Sequence, residues 1–137
     1  LPILYNNQLS GSIPVEIGNM ANMQYLRLAN NQLSGPIPVE LANLANLRTL
    51  ELGSNQLSGP IPDELHELAN LQYLRLSGNK LSGEIPTTLS LLTGLRDGGS
   101  DLGYNALYTN SSTLYAFLDA KQVDVNWSLT QNVAPRN

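Results

Sequence analysis

The 137-residue chain contains no cysteine, so neither disulfides nor thiolate metal sites hold the fold together. It also has little positive charge: seven lysines and arginines, which form no run, stand against eleven acidic residues, and we expect no nucleic-acid partner. No apolar run approaches the roughly 18 residues that suggest a membrane span, so we expect no membrane insertion. The length leaves room for one domain and excludes a large two-domain enzyme.

What the chain has in excess is leucine and asparagine, a bias that is typical of internal repeats. Four asparagines recur at one constant interval, and a fifth follows two positions later than that interval requires. In phase with them, the motif Leu-Ser-Gly-x-Ile-Pro occurs four times. These asparagines, which we call the asparagine ladder, are Asn7, Asn31, Asn55, Asn79 and Asn105.

Each repeat predicts the same local structure. Before the inner asparagines, leucines alternate with other residues, as at Leu50 and Leu52, which predicts a short strand with its leucines on one face. After each Ile-Pro, leucines spaced by three, as at Leu41 and Leu44, predict a helical or 3₁₀ segment on the outer side. The prolines fit the first turn of that segment, and we interpret the serine of each Leu-Ser-Gly as a turn residue.

These motifs resemble the leucine-rich repeat family, and Leu-Ser-Gly-x-Ile-Pro resembles its plant-type subclass, over residues 1 to about 108. The resemblance implies an α/β fold, a right-handed solenoid arc with a concave parallel β-sheet and 3₁₀ or short-helix segments on the convex side. Stacking supports this fold independently, because a single repeat is too short to bury its leucines alone. We assign residues 1–102 to about four repeats, the first incomplete, and residues 103–137 to a C-terminal helical cap.

The asparagine ladder is predicted to be structural. A polar side chain that is buried must find hydrogen-bond partners. We therefore expect each amide of the ladder to bond to free backbone groups of its own loop and of the next one.

The last repeat departs from the pattern. Residues 95–102 carry two extra residues, and we interpret residues 97–101 as a turn or bulge, because they lack the Asp-x-Asp-x-Asp spacing of a calcium loop. Farther on, Ser111 precedes apolar residues at helical spacing, which predicts a capped amphipathic helix. The tail, including residues 102–108, 124–127 and 130–135, resembles the endings of secreted bacterial proteins that carry plant-type repeats.

The N-terminal end predicts an open sheet edge. Leu4 occupies the last strand leucine of a repeat whose earlier half is absent, and the chain starts at Leu1 without a methionine. We expect either that upstream repeats belong to a longer protein or that another copy packs on this edge. The second alternative allows head-to-tail self-association.

No residue pattern predicts catalysis. His66 is the sole histidine and is interpreted as a surface residue, while serines that recur in every repeat are not nucleophiles. One histidine without cysteine makes no metal site, and no glycine-rich phosphate motif occurs, so we expect no enzyme and no cofactor. Two weak glycosylation sequons begin at Asn110 and Asn126.

Strand positions that point away from the leucines vary between repeats, and we expect the binding surface there. Tyrosine beside arginine is typical of binding hot spots, and small residues such as Gly53 leave a shallow floor. The simpler alternative is that the charges along the central row neutralise one another across the strands. That row is Ile3, Arg27, Glu51, Arg75 and Asp101. The predicted partner-binding residues are Tyr25, Arg27, Asn30, Thr49, Glu51, Tyr73, Arg75 and Tyr104.

The sequence therefore predicts a non-catalytic recognition module that binds a protein, peptide or glycan on its concave face. The family resemblance alone implies an extracellular or cell-surface location. The alternative is a structural or self-assembling segment, a spacer or fibre element, of a larger surface protein.

Overall fold

The computed structural model describes residues 4–123 and 127–132, which form a stack of similar coils followed by an α-helix. Each inner coil contributes two short strands and one 3₁₀ segment. The strands are β1 (Ser10–Ser12), β2 (Tyr25–Arg27), β3 (Gln32–Gly35), β4 (Thr49–Glu51), β5 (Gln56–Gly59), β6 (Tyr73–Arg75), β7 (Lys80–Glu84), β8 (Ser100–Asp101) and β9 (Ala106–Tyr108). The helix α1 is Ser112–Lys121, and the 3₁₀ segments are Val15–Asn19, Val39–Asn43, Asp63–Glu67, Thr87–Leu91 and Trp127–Thr130.

Strands β2, β4, β6 and β8 form one parallel sheet. Leu26, Leu50 and Leu74 stand opposite one another in register and are fully buried, which confirms the strands predicted from the alternating leucines. Because side chains alternate along a strand, the residues on either side of each leucine point to the opposite side of the sheet. We call that opposite side the concave face.

A second parallel sheet, which the repeat pattern does not predict, joins β1, β3, β5, β7 and β9. The interpretation of the Leu-Ser-Gly serines as turn residues is wrong, because these serines lie inside strands. The strand signal is weak because each Leu-Ser-Gly strand is short and contains a glycine with positive φ, such as Gly35 at +78°. Pairing with the neighbouring coil satisfies the backbone groups of the segment. The four serines are Ser10, Ser34, Ser58 and Ser82.

The residues after each Ile-Pro form the 3₁₀ segments, as predicted. Pro38 has an extended backbone (ψ 135°) and precedes Val39–Asn43 by one position, so the prolines stand before the first turn rather than within it. Glu40 lies in that first turn, where the peptide dipoles favour a carboxylate. On the inner side Leu41 is fully buried, which anchors the segment to the core.

The asparagine ladder links each coil to the one before it. In the coil of Asn55, the side-chain Nδ2 donates to the carbonyls of Leu52 and Gly53 in its own coil and to that of Leu28 in the preceding coil. Its Oδ1 accepts the backbone N–H of Leu33, also in the preceding coil. The ladder bonds therefore reach the preceding coil, and the prediction that they reach the next one is wrong. Equivalent bonds are made by Asn31, Asn79 and Asn105.

The C-terminal cap continues the stack with different residues. Ser100 occupies the strand position of the repeat leucines, pairs with Leu74 and is fully buried. Gln122, which follows α1, donates from Nε2 to the hydroxyl of Ser100 at 3.0 Å and accepts the N–H of Leu102 at 2.9 Å. The end of the cap helix is thus fixed to β8 by buried hydrogen bonds, and Trp127 is buried in the same core.

Some expectations fall outside the described residues. Ile3 on the concave face, the sequon at Asn126, and residues 124–126 and 133–135 of the tail resemblance are among them. The division between repeats and cap at residue 102 stays a prediction, and β9 of the second sheet lies beyond it. Within the described part of the chain, no helix is long and apolar enough to cross a bilayer.

The N-terminal edge of the concave sheet carries exposed apolar side chains. Backbone N–H groups of Leu4 and Asn6 donate to the carbonyls of Arg27 and Ala29, at 2.9 and 3.0 Å. Residues 4–6 therefore pair with the segment that begins with β2. The first described coil therefore exposes a sheet edge together with apolar side chains. The exposed apolar residues of this coil are Leu4, Tyr5, Leu9, Val15 and Met20.

Candidate binding face

The register of the concave sheet aligns like positions of successive repeats. Tyr25 and Tyr73 lie on either side of Thr49, and Arg27 and Arg75 lie on either side of Glu51. The alignment follows from the repeat itself, because each strand pairs with its neighbour at the same repeat position. Side chains on one row of a parallel sheet are adjacent.

The central row contains a carboxylate between two guanidinium groups. Glu51 Oε2 lies 3.9 Å from Arg27 Nε, and Glu51 Oε1 lies 3.7 Å from an Arg75 guanidinium nitrogen. These distances are longer than the usual 2.7–2.9 Å of a charge-assisted hydrogen bond, and both arginines are partly exposed. Each pair is therefore worth at most about 1 kcal/mol, and the arginines keep donors that can turn to a ligand.

Each of these arginines also stacks on a tyrosine of its own strand. The Arg27 Cζ lies 5.4 Å from the ring centre of Tyr25, and the Arg75 Cζ lies 5.5 Å from that of Tyr73. Cation–π contact of this kind attracts a guanidinium to the ring and uses none of its N–H donors. The Nε atoms of both arginines are buried, and neither has a hydrogen-bond partner among the described residues.

A third arginine, which is not among the predicted binding residues, joins this group. Arg96 has its Cζ 5.8 Å from the ring centre of Tyr73, so that ring carries two guanidinium groups. The repeat position of Arg96 is visible in the sequence, because Arg96 follows Gln72 at the same interval at which Arg48 follows Gln24. The structure agrees, since the backbone N–H of Arg96 bonds to the carbonyl of Gln72 as that of Arg48 bonds to Gln24 two coils earlier. Its contact with the Tyr73 ring has no such signal in the sequence.

Beside the stacks lies a shallow pocket of about 190 Å³. Its floor is low because it holds small residues: a Cβ added to Gly53 would come within 3.2 Å of the Ser77 carbonyl oxygen. Asn30, Glu51 and Arg75 of the predicted set reach this pocket. It is lined by Ala29, Asn30, Glu51, Gly53, Ser54, Arg75, Ser77 and Asp101.

Two predicted residues are placed differently. Thr49 lies between Tyr25 and Tyr73 on one row of the sheet. It is only 2% exposed, so it cannot contact a partner directly. Tyr104 is 70% exposed but lines a separate pocket with Lys80 and Thr130 at the cap end. The remaining predicted binding residues lie together on the concave face.

Two polar side chains outside the face, those of His66 and Asp97, have partners in the structure. His66 places Nδ1 2.8 Å from the carbonyl oxygen of Asp63 in its own 3₁₀ segment. Asp97 lies in a turn at residues 97–98, as interpreted, and pairs with Lys121 at 2.9 Å. The interpretation is wrong for Ser100–Asp101, which form β8. Among residues 4–123 and 127–132, no cluster of three histidines or carboxylates could hold a metal ion.

Models of the leucine-rich repeat match this chain over residues 37–81 and over residues 3–20 and 22–44. Together these matches cover more than half of the chain. The chain therefore belongs to the leucine-rich repeat family, in agreement with its parallel sheets and asparagine ladder, and its repeats are of the plant type. No curated protein matches the chain.

Solved structures of plant receptors are similar to this chain. The plant peptide hormone receptor RGFR1, in complex with RGF2, is 38% identical with a TM-score of 0.78, over 86% of this chain and 19% of that one. The ectodomain of the Arabidopsis receptor kinase HAESA, in complex with an extended IDA peptide hormone, is 37% identical with a TM-score of 0.76, over 94% and 20%. The BIR2 ectodomain from Arabidopsis thaliana is 38% identical with a TM-score of 0.76, over 82% and 58%.

This chain therefore spans about a fifth of RGFR1 and HAESA and somewhat more than half of BIR2. What it shares with them is the stack of repeats.

Proposed function

We propose that this chain is a non-catalytic recognition module that binds a peptide or protein ligand on the concave face, outside the cell or at its surface. The observation that carries the proposal is the pair of arginine–tyrosine stacks, Arg27 on Tyr25 and Arg75 on Tyr73, beside a shallow pocket. Rigid aromatic side chains and arginines supply most of the energy at protein interfaces.

The residues that recur in every repeat have a role in stabilising the fold. Leucines fill the core, and the asparagine ladder satisfies backbone groups between coils. The concave sheet presents side chains that vary between coils and are partly exposed, including Glu51 and Arg75. A surface without an evident structural role is where a ligand is expected.

The similar structures support a peptide over a glycan. RGFR1 is a peptide hormone receptor in complex with RGF2, and HAESA is in complex with a peptide hormone. Both are receptors of the same fold, although fold similarity by itself does not establish function. A glycan is the alternative ligand of the same site.

The test is a selection of random 12-residue peptides displayed on phage against the immobilised chain. Peptides that bind the chain should bind the double variant Tyr73→Ala with Arg75→Ala at least tenfold more weakly, because both stacking and charge are lost. The matched control is Gln56→Ala with Lys80→Ala, two exposed residues of the second sheet. Equal losses in both double variants, with circular dichroism unchanged, would move the site away from the concave face.

A second candidate function is self-assembly, favoured by the exposed apolar side chains of the first coil, such as Leu9 and Met20. A head-to-tail contact on this edge does not close and would propagate. Light scattering against concentration separates the two functions, because a recognition module keeps a constant mass without its ligand. Replacing Leu9 and Met20 by serine should abolish any growth in mass.

A further inference from the structure

The charges of this chain are segregated between its two surfaces. The 3₁₀ segments of the repeats carry five carboxylates and no lysine or arginine. Four of them lie in the first turn, where peptide dipoles favour them. This acidity therefore has a structural cause. The five are Glu16, Glu40, Asp63, Glu64 and Glu67.

The concave face has the opposite balance, although the whole chain carries a net charge of −4. The described part of this face holds three arginines against the carboxylates of Glu51 and Asp101. Both carboxylates are engaged: Glu51 lies between two arginines, and Asp101 accepts the backbone N–H of Gly103 at 3.1 Å. The exposed Arg48 directly precedes β4 of the same sheet.

Arg96 is an arginine of this face that no carboxylate of the described residues balances. Within the described ranges, no carboxylate forms an ion pair with it, and its Cζ is held 5.8 Å from the Tyr73 ring. Arg75 has its Cζ 5.5 Å from the centre of the same ring, and among the described residues its one ion pair is the 3.7 Å contact to Glu51. Two guanidinium groups beside one ring raise the local positive potential, which would attract a carboxylate and offer it charge-assisted hydrogen bonds.

We propose that the concave face recognises an acidic peptide segment, whose aspartate or glutamate side chains bind Arg75 and Arg96 beside the Tyr73 ring. The inference rests on the proposed function of this face and adds the chemistry of the ligand. A peptide fits better than a nucleic acid, because the surrounding surface is acidic and repels a long polyanion. The acidic outer side also repels the peptide and directs it to the concave face.

The experiment uses the peptide pool selected on phage against the whole chain. Its sequences should be enriched in aspartate and glutamate relative to the unselected library. Two of these peptides, made with both termini blocked, should lose at least tenfold in affinity when their acids become asparagine and glutamine. Blocking the termini ensures that only side-chain carboxylates are measured.

Three variants of the chain complete the test. Arg96→Gln should weaken binding of the acidic peptide about fivefold to tenfold, whereas Lys80→Gln, the same charge change on the second sheet, should alter it less than twofold. Glu51→Gln should strengthen binding about threefold, because it releases Arg27 and Arg75. A gain in affinity cannot result from misfolding.

The outcomes separate the two proposals. Peptides that need Tyr73 and Arg75 but have neutral or basic composition would overturn the acidic ligand and leave the binding face intact. A pool that binds the Tyr73→Ala, Arg75→Ala variant as well as the original chain would overturn both. Binding of polygalacturonate, an acidic glycan, without any acidic peptide would overturn the peptide assignment.

Discussion

Gln131 Oε1 accepts the backbone N–H of Leu107 at 2.9 Å, which is the bond that Asn105 makes to Leu81 at 3.1 Å one coil earlier. Gln131 Nε2 also donates to the carbonyl of Leu102 at 2.8 Å, as the ladder asparagines donate to the coil before them. A glutamine, one methylene longer, thus continues the asparagine ladder into the cap. The last coil is closed with the same hydrogen bonds that join the repeats.

The ladder predicts a difference between two asparagines at the same repeat position. Asn55→Ala should lower the free energy of unfolding by about 1–3 kcal/mol, because it leaves buried backbone groups of two coils without partners. Asn7→Ala should cost less than about 0.5 kcal/mol, since Asn7 is exposed and its Nδ2 bonds, among the described residues, to the carbonyls of Leu4 and Tyr5 in its own coil. Denaturant unfolding of both variants measures this; equal losses would contradict the structural assignment of the ladder.

Much of this architecture could be predicted from the sequence, because leucine and asparagine recur at positions where packing tolerates little else. The sequence does not predict whether the ladder asparagines bond to the preceding or to the following coil, because a constant repeat period is compatible with both. The second sheet has only a weak signal, because Leu-Ser-Gly is short and ends in a left-handed glycine. Gln131 did leave a signal: it follows Asn105 at the same interval at which Asn105 follows Asn79.

The concave face was predictable only in part. Strand alternation identified Tyr73 and Arg75, because their direction follows from the neighbouring buried leucines. Burial of Thr49 and the stacking of Arg96 depend on how long side chains of adjacent coils pack. Contacts between side chains of adjacent coils depend on the folded structure and leave no repeating signal in the sequence.

The cap predicts a coupling between Ser100 and Gln122, which share a buried hydrogen bond of 3.0 Å. Gln122→Ala should cost about 2–3 kcal/mol, because the Leu102 N–H and the Ser100 hydroxyl both lose their partner. Removing both side chains should cost less than the sum of the single losses by roughly 1 kcal/mol. A double-mutant cycle from thermal or denaturant unfolding gives the coupling, and strict additivity would show that the bond contributes nothing.

The residue before each ladder asparagine has a left-handed backbone, which predicts opposite effects at two positions. Tyr104 has φ +55°, a conformation that is strained for a bulky residue. Tyr104→Gly should therefore stabilise the chain by about 0.5–1 kcal/mol. At the equivalent position of another coil, Gly78 has φ +69°, and Gly78→Ala should destabilise by about 1–2 kcal/mol.

Melting temperatures of the two variants decide this prediction. The added Cβ at position 78 comes no closer than 3.4 Å to Ser54, so backbone conformation and not a steric clash would cause the loss. If Tyr104→Gly lowers the melting temperature instead, Tyr104 has a packing role in the cap that exceeds its backbone strain.

The central claim is that a ligand contacts the outward side chains of the concave sheet. Titrating the ¹⁵N-labelled chain with a selected peptide, and following amide chemical shifts by NMR, tests it directly. We expect the largest changes in Tyr25–Arg27, Thr49–Glu51 and Tyr73–Arg75. Changes confined to the second sheet or to the 3₁₀ segments, with these three strands unaffected, would contradict it.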